Sequence, residues 1–312
     1  LEFRRVLFRS DLDKRFGGID SVLVWQSYPN MGVDNRNQFD LIRDMPGGIQ
    51  GVKEMVSEFH KHGVRVLFPV MVWDQGTRKE DAPDWIASTR LMAAIGADGI
   101  NGDTLYDFPR TFRTAADATG HPIALEPQLA PPSPKEALAW ENLSWDDWVI
   151  LSERGGWQYP FIPEVAADKW VEPRHMVNVS DRWAHDKTDD LQHAFFNGLG
   201  YESWENIWGI WNQIDERDAE ALRRIAKIDR SFAGLLTSQD WEPHTPVLQD
   251  GEFASKFPGK TEVLWTIVNR NNFDLSGPTI EVPYEPGVQY FDFWHGVLLK
   301  PAVNGKMAHL SL

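Results

Sequence analysis

The 312-residue sequence contains no cysteine. This absence excludes disulfide bridges, thiolate nucleophiles and cysteine-based zinc or iron–sulfur sites. The sequence also lacks an uninterrupted apolar run of the roughly 18 to 20 residues that a membrane-spanning helix needs. We therefore expect neither thiol chemistry nor a membrane-spanning segment.

Positive charge is also scarce, because 31 Lys and Arg stand against 46 Asp and Glu and give a formal net charge of −15. Such a chain repels nucleic-acid backbones and anionic membranes, so neither is an expected partner. The nine histidines include no H-x-x-x-H pair with a helper glutamate, and we expect no metal and no cofactor. No glycine-rich phosphate loop follows the first predicted strand, which argues against a dinucleotide-binding fold.

Tryptophan is abundant, with 15 copies beside 17 phenylalanines. Its flat face can stack on a sugar ring, although packing in the core is the more common role of any single tryptophan. The segment NGLGYESWENIWGIWNQ, residues 197–213, holds three of them. Trp204, Trp208 and Trp211 would share one face if this segment were helical, which is a spacing typical of core packing.

Apolar strands alternate with amphipathic helices from residue 16 to residue 236. This order predicts parallel strands joined by right-handed crossovers. Strand after strand ends in a polar residue, and in a (β/α)8 barrel such ends meet at one mouth. The residues concerned are Gln26, Asp74, Asp103, Glu126, Asp181 and Glu202. We therefore predict an α/β fold, a (β/α)8 TIM barrel, over residues 11–238.

Two further segments flank this predicted barrel. The first ten residues, LEFRRVLFRS, resemble an adapter at the end of an environmental bacterial gene fragment, so residues 1–10 are excluded from the fold. Because only about seven strands are recognisable, we expect a barrel truncated at its N-terminus. Residues 239–312 contain short β-runs between Gly, Pro and Asn turns and predict a small β-sandwich, which would also be truncated.

Asp103 and Glu126 are the candidate catalytic pair. Asp103 ends the strand in ADGINGDTL, where Gly99 and Gly102 leave space for a ligand; the alternative is a helix-capping Asp. Glu126 ends the next strand in IALEPQ, and the alternative is a surface salt bridge. Paired carboxylates suit cleavage of a glycosidic bond. Glu153, Asp181 and Glu202 remain open as the general acid.

The remaining candidates are polar or aromatic residues at the predicted mouth that could bind sugar hydroxyls or stack on sugar rings. Structural roles in the core or in ion pairs at the rim are the alternatives. These substrate-binding candidates are Trp73, Asp74, Asp181, Arg182, Glu202, Trp204, Glu205 and Asn206.

One segment resembles a known family. GIQGVKEMVSEFHKHGVRVLFPVMVWDQG, followed by GADGINGDTL, is similar to the glycoside hydrolases related to α-galactosidases. In that group a helix ending in His-x-x-Gly precedes the third strand, and the fourth strand ends in the nucleophilic Asp. The resemblance implies that Asp103 is the nucleophile. The family's Lys-x-Asp is Asn101-Gly102-Asp103 here, so the sugar contact of that Lys is lost or replaced.

Related endo-α-N-acetylgalactosaminidases use an Asp on the fourth strand and a Glu on the fifth, which Asp103 and Glu126 resemble. We therefore expect a retaining glycosidase with a carbohydrate substrate. The alternatives are a non-catalytic carbohydrate-binding protein on a degenerate barrel and a metal-dependent hydrolase of a non-sugar substrate. The sequence leaves oligomeric state and localisation open, and a periplasmic or secreted location is compatible with it.

Overall fold

The computed structural model describes residues 10–26, 31–74, 76–128, 135–145, 151–152, 156–157, 161–181, 186–204, 206–207, 210–211 and 214–312. The chain divides into two compact units. The first unit consists of residues 1–147, 175–184 and 202–214, and the second of residues 148–174, 185–201 and 215–312. Residues 1–9 of the predicted leader lie outside the described residues. No helix in the described part of the chain is long and apolar enough to cross a membrane.

The first unit contains the alternating strands and helices that the sequence predicts. Its elements are α1 (residues 10–16), β1 (Ser21–Leu23), α2 (Gln38–Arg43), α3 (Gly48–Lys61), β2 (Arg65–Met71), α4 (Asp84–Ile95), β3 (Gly99–Asp103), α5 (Arg110–Ala118), β4 (Ala124–Pro127), a 3-10 turn (Lys135–Ala139), β5 (Leu143–Trp145), β8 (Met176–Asp181), β10 (Asn206–Ile207) and β11 (Ile210–Trp211).

Two sheets carry the strands. One has the order β1-β2-β3-β4. The other has the order β5-β8-β9, where β9 (Gly200–Ser203) begins in the second unit and ends in the first. In the described part of the chain, a parallel bridge between Gln128 and Trp145 links the end of β4 with β5. Seven strands therefore follow one another in chain order, as a winding α/β fold requires.

The described strands do not close into the predicted eight-stranded barrel. Among the described residues, one bridge joins Gln128 with Trp145, and the N–H of Asn142 donates to the Leu125 carbonyl at 3.2 Å. Pro127, the last residue of β4, has no N–H to donate to a neighbouring strand.

Side chains alternate across β2, β3 and β4 according to the pleat. Phe68, Ile100 and Leu125 are register partners and belong to a core cluster that helices α3, α4 and α5 cover. The next residue on each strand points to the other face. Pro69 pairs with Asn101, and Asn101 pairs with Glu126. On β3 and β4 the apolar side chains thus pack under the helices, and the polar residues Asn101 and Glu126 occupy the opposite face.

The second unit combines helices with antiparallel strands. Its elements are β6 (Leu151–Ser152), β7 (Gly156–Trp157), α6 (Ala167–Val171), α7 (Thr188–Asn197), α8 (Glu216–Leu236), β12 (Glu242–Thr245), β13 (Glu252–Pro258), β14 (Val263–Asn269), β15 (Ile280–Pro283), β16 (Tyr290–Asp292), β17 (Val297–Leu299), β18 (Ala302–Asn304) and β19 (Met307–Leu310).

The C-terminal strands confirm an all-β region. Strands β12, β13 and β14 form one antiparallel sheet, β15, β19 and β18 a second, and β16 pairs with β17. Trp265 and Ile267 on β14 pack against the cluster that contains Ile280 and Val282. Leu264, which points to the other face of β14, belongs to a separate cluster with residues of α8. The sheet formed by β12–β14 is therefore covered on both faces.

A buried lysine lies beside this second cluster. Lys169 on α6 is 3% exposed. Its Nζ donates to the carbonyl oxygen of Leu236 at 2.7 Å and lies 5.7 Å from the centroid of the Trp241 ring. Burial lowers the pKa of Lys169 to about 8, and the charge of Asp229 partly opposes this shift. The ammonium group therefore destabilises the fold at neutral pH relative to its neutral form.

Replacing Lys169 by Met should remove a rise in stability at alkaline pH. At pH values between the folded pKa of about 8 and the ordinary lysine pKa of 10.5, the unfolded chain binds more protons at Lys169 than the folded chain does. The free energy of unfolding of the wild type therefore increases with pH in that window, by roughly 3 kcal/mol at about 1.4 kcal/mol per pKa unit. Urea unfolding across that window would measure the difference between variant and wild type.

Lys256→Met is the matched control, because Lys256 pairs with Glu242 at a more exposed position. It should keep the alkaline rise. Identical pH profiles for Lys169→Met and the wild type would contradict the prediction.

Candidate active site

The polar face of β3 and β4 carries both candidate catalytic residues, Asp103 and Glu126, together with their neighbour Asn101. Asn101 and Asp103 are two residues apart on β3 and therefore point to the same side, and Glu126 is the direct partner of Asn101. Two residues of strand rise about 6.6 Å and strands lie about 4.8 Å apart, so the Cα atoms of Asp103 and Glu126 are separated by roughly 8 Å. Both carboxylates face one side at the carboxyl ends of adjacent strands.

Asp103 is the last residue of β3 and is 7% exposed. Thr104, which follows it, is exposed and has a φ of 58°. A β-branched residue in this left-handed region is strained by about 1 to 3 kcal/mol. The Thr104 N–H donates to Gln128 Oε1 at 2.8 Å, and the Gln128 N–H donates to the Leu105 carbonyl at 2.9 Å. Gln128 thus holds the turn that orients the end of β3.

The two glycines of β3 have a different role from the one expected. A Cβ added to Gly102 would lie 2.9 Å from the Cβ of Leu105, and one added to Gly99 would lie 3.0 Å from the Cγ of Leu67. The space beside both residues is filled by the protein's own side chains. The expectation that these glycines make space for a ligand is therefore wrong; they permit close packing.

Glu126 is 4% exposed. Its Oε2 accepts a hydrogen bond from Asn101 Nδ2 at 3.0 Å, and its Oε1 accepts one from Asn178 Nδ2 at 3.0 Å. Burial raises the pKa of Glu126 above its ordinary value, and the two amide donors oppose that shift. A buried carboxyl with a raised pKa can remain protonated closer to neutral pH and can act as a general acid.

Three tryptophans pack together beside these strands. The ring of Trp204 lies 6.3 Å from that of Trp25 and 6.0 Å from that of Trp145, measured between centroids. Trp204 is 9% exposed and its indole N–H donates to Ser180 Oγ at 2.7 Å. The indole N–H of Trp145 points at the Gly102 carbonyl at 3.4 Å. This cluster supports the end of β3 next to Asp103.

Asp74 is half-buried and accepts two backbone hydrogen bonds, from the N–H of Gln38 at 2.9 Å and from that of Gly76 at 2.8 Å. Gln38 begins helix α2, so Asp74 satisfies an amide at a helix N-terminus. The side chain of Gln38 in turn bonds both the N–H of Met71 at 2.7 Å and its carbonyl at 3.0 Å. Trp73, between Met71 and Asp74, is half-buried.

The remaining candidates that the structure describes lie on β8, β9 and β10. Asp181 is the last residue of β8, and Glu202 is a half-buried residue of β9. Asn206 pairs with Trp211 in the β10–β11 hairpin, so this part of the motif is extended and the helical alternative is wrong. Glu153, Arg182, Glu205 and Trp208 lie outside the described residues.

Asn178 and Gln128 were not among the sequence candidates. A signal for Asn178 exists in MVNVSD, where Asn178 and Ser180 alternate with the buried Val177 and Val179. That alternation indicates a strand with one polar face. In the described part of the chain, no group of three or more His, Asp or Glu side chains is arranged to hold a metal ion.

No protein-family model matches the chain. A search of curated proteins gives no match either.

Solved structures do resemble it. An α-amylase from Anoxybacillus, described as a new glycosyl hydrolase subclass, superposes with a TM-score of 0.61 at 10% identity, over 98% of this chain and 87% of that one. The α-amylase of Geobacillus thermoleovorans in complex with acarbose gives 0.62 at 12% identity, over 98% and 88%. α-Galactosidase I from Mortierella vinacea gives 0.58 at 10% identity, over 98% and 90%.

At 10 to 12% identity these likenesses establish the fold and leave the activity to be argued from the site. The chain shares the fold of glycoside hydrolases in which parallel α/β strands precede a C-terminal β domain.

Thr104→Gly should stabilise the protein by about 1 kcal/mol, because glycine adopts a positive φ without the steric cost, offset in part by its greater chain entropy. Urea unfolding measures the change. Thr114→Gly, within helix α5, is the matched control and should destabilise the protein. A loss of stability in Thr104→Gly similar to that of the control would contradict the strain at this turn.

Glu126→Gln should change how stability depends on pH. Because the folded pKa of Glu126 lies above its ordinary value of 4.5, the folded protein binds more protons than the unfolded chain between these two values. The wild type therefore loses stability as pH rises through that window. Glutamine cannot ionise, so the variant should gain on the wild type above about pH 4.5. Glu54→Gln, on the exposed face of α3, should show no such gain.

Proposed function

We propose that this protein is a glycoside hydrolase that uses Asp103 and Glu126 as its catalytic pair. The observation that carries the proposal is their placement at the ends of adjacent parallel strands, on one face, with Glu126 buried and its pKa raised. Carboxyl ends of parallel strands are where α/β folds of this kind place their active sites. The likeness to α-amylases and an α-galactosidase supports the same class of reaction.

The proposed mechanism retains the anomeric configuration. Asp103 attacks the anomeric carbon while protonated Glu126 gives its proton to the departing glycosidic oxygen. The ionised Glu126 then removes a proton from water as the water oxygen attacks the anomeric carbon of the glycosyl–Asp103 ester, and the bond to Asp103 breaks to release its carboxylate. Carboxyl groups about 5 to 5.5 Å apart suit this route, whereas roughly 6.5 to 9.5 Å suits inversion.

The substrate would be a carbohydrate bound over the same face. The proposed contacts come from the predicted set. The ring of Trp204 is mostly covered, so Trp204 would act on the substrate through its packing against Trp25 and Trp145. The set is Trp73, Asp74, Asp181, Arg182, Glu202, Trp204, Glu205 and Asn206. Asp74 would keep its two backbone hydrogen bonds, so a sugar hydroxyl would use its remaining lone pairs.

The finer classification is also part of the proposal. We assign the strands to a (β/α)8-type catalytic domain over residues 11–238 and residues 239–312 to a β-sandwich domain. Within glycoside hydrolases, the Asp-then-Glu arrangement on consecutive strands favours the endo-α-N-acetylgalactosaminidase group over the α-galactosidases, whose Lys is replaced by Asn101.

A non-catalytic carbohydrate-binding protein is the second candidate. It is favoured by the burial of both carboxyl groups, since Asp103 is 7% exposed and Glu126 is 4% exposed. A substrate must reach both groups for catalysis, whereas a binding protein needs only the surrounding polar and aromatic surface.

Asp103→Asn should lower kcat/KM by about 1,000-fold or more, since the nucleophile is lost. The assay uses aryl α-glycosides of galactose, glucose and N-acetylgalactosamine. Glu126→Gln should lose less activity on substrates with acidic leaving groups, because these need little protonation. NMR of the first-formed anomer distinguishes retention from inversion.

Asp107→Asn, in the loop after β3, is the matched control and should retain activity. Full turnover by Asp103→Asn would exclude the proposed nucleophile. Calorimetric sugar binding that survives both substitutions, without hydrolysis by the wild type, would favour the binding protein.

A further inference from the structure

The carboxyl group of Glu126 is held from both sides by neutral amides. Asn101 reaches Oε2 from β3, the direct neighbour of β4. Asn178 reaches Oε1 from β8, which lies beyond β5 and pairs with it at Trp145. Each oxygen of the carboxyl group therefore has one donor, and the two donors come from opposite sides of β4.

We propose that Asn101 and Asn178 are positioning residues that form an amide clamp, which fixes Glu126 and keeps both of its protonation states accessible. The proposal rests on the assignment of Glu126 as the acid/base of a glycoside hydrolase. In that role Glu126 must be protonated in the first step and ionised in the second.

The neutrality of the clamp is what makes this role achievable. An Arg or Lys at either position would hold Glu126 ionised, and apolar residues would leave the effect of burial unopposed. The ionisable residues on the strands around Glu126 are Asp103 on β3 and Asp181 at the end of β8, while β5 has none. Both are acidic, so amide donors rather than cations oppose the effect of burial.

The orientation of Asn101 adds a second element. Asn101 is fully buried, and its Oδ1 has no hydrogen-bond partner among the described residues. A buried amide oxygen without a partner is unfavourable. Rotation of this amide by half a turn would present Oδ1 to Glu126, where it accepts the O–H of the carboxylic acid. Asn101 can therefore serve the ionised form as a donor and the protonated form as an acceptor, while Asn178 remains a donor.

The clamp predicts how its loss affects each step. Loss of a clamp residue removes a hydrogen bond from either form of Glu126, but the bond to the charged carboxylate is the stronger of the two. The ionised form is therefore destabilised more, and the carboxyl group stays protonated to higher pH. Proton donation to the leaving group survives, whereas removal of a proton from water is impaired. Hydrogen bonds to a charged group are strong enough that kcat should fall about 10- to 100-fold.

The test is a 13C NMR titration of side-chain carboxyl groups in the full chain, with the Glu126 signal assigned by its absence in Glu126→Gln. In Asn101→Leu and in Asn178→Ala, the titration midpoint of Glu126 should move to higher pH. Asn142→Ala is the matched control, because Asn142 Oδ1 accepts the N–H of Leu125, the neighbour of Glu126, and leaves the carboxyl group untouched. Its midpoint should equal that of the wild type.

Unchanged midpoints in the two clamp variants, or an equal shift in Asn142→Ala, would overturn the proposal. If Asn101→Leu fails to fold, Asn178→Ala decides, since Asn178 is only half-buried. The titration needs no substrate, so it separates the two hypotheses. If the midpoints shift but the wild type hydrolyses none of the assayed aryl glycosides, the glycosidase proposal is refuted and the clamp stands. If the wild type is active but the midpoints do not move, the clamp is refuted and the glycosidase proposal stands.

Discussion

The pleat of the central strands imposes the constraint on which the other features depend. Because successive side chains point to opposite faces, one face of β2–β4 can be filled with Phe68, Ile100 and Leu125 under the helices. The other face then carries Asn101 and Glu126 in register. Burying a carboxyl there would cost several kcal/mol without partners, and the amides of the neighbouring strands supply them. The same strands therefore contribute to the core with one face and to the candidate site with the other.

Much of the first unit could be predicted from sequence, because long apolar runs and strong helical periodicity identify elements locally. Helix α3 coincides with the helical pattern of GIQGVKEMVSEFHKHG, and strands β2 and β3 lie within the apolar segments VRVLFPVMVWD and DGINGDTL. The short elements cannot be placed by periodicity. Helix α2 depends on a capping box formed by Asn37 and Asp40, and β5 depends on its partners for its existence. Barrel closure depends on pairing between distant strands, which composition and periodicity do not encode.

The candidate site, too, can be predicted from the sequence only in part. The positions of Asp103 and Glu126 at strand ends follow from the sequence, since polar residues after apolar runs indicate the carboxyl ends of strands. The contact between Glu126 and Asn178 does not, because it joins residues 52 positions apart through strand register. The glycines of β3 gave a misleading signal for the same reason: only the fold reveals that Leu105 and Leu67 fill the adjacent space.

The amide of Gln38 has a consequence for the way helix α2 is joined to strand β2. Gln38 bonds both the N–H and the carbonyl of Met71, as an adjacent strand would. Met71 is fully buried, so water could not replace these partners if the side chain were removed. One side-chain amide thus takes the place of a neighbouring strand and ties the first turn of α2 to the carboxyl end of β2.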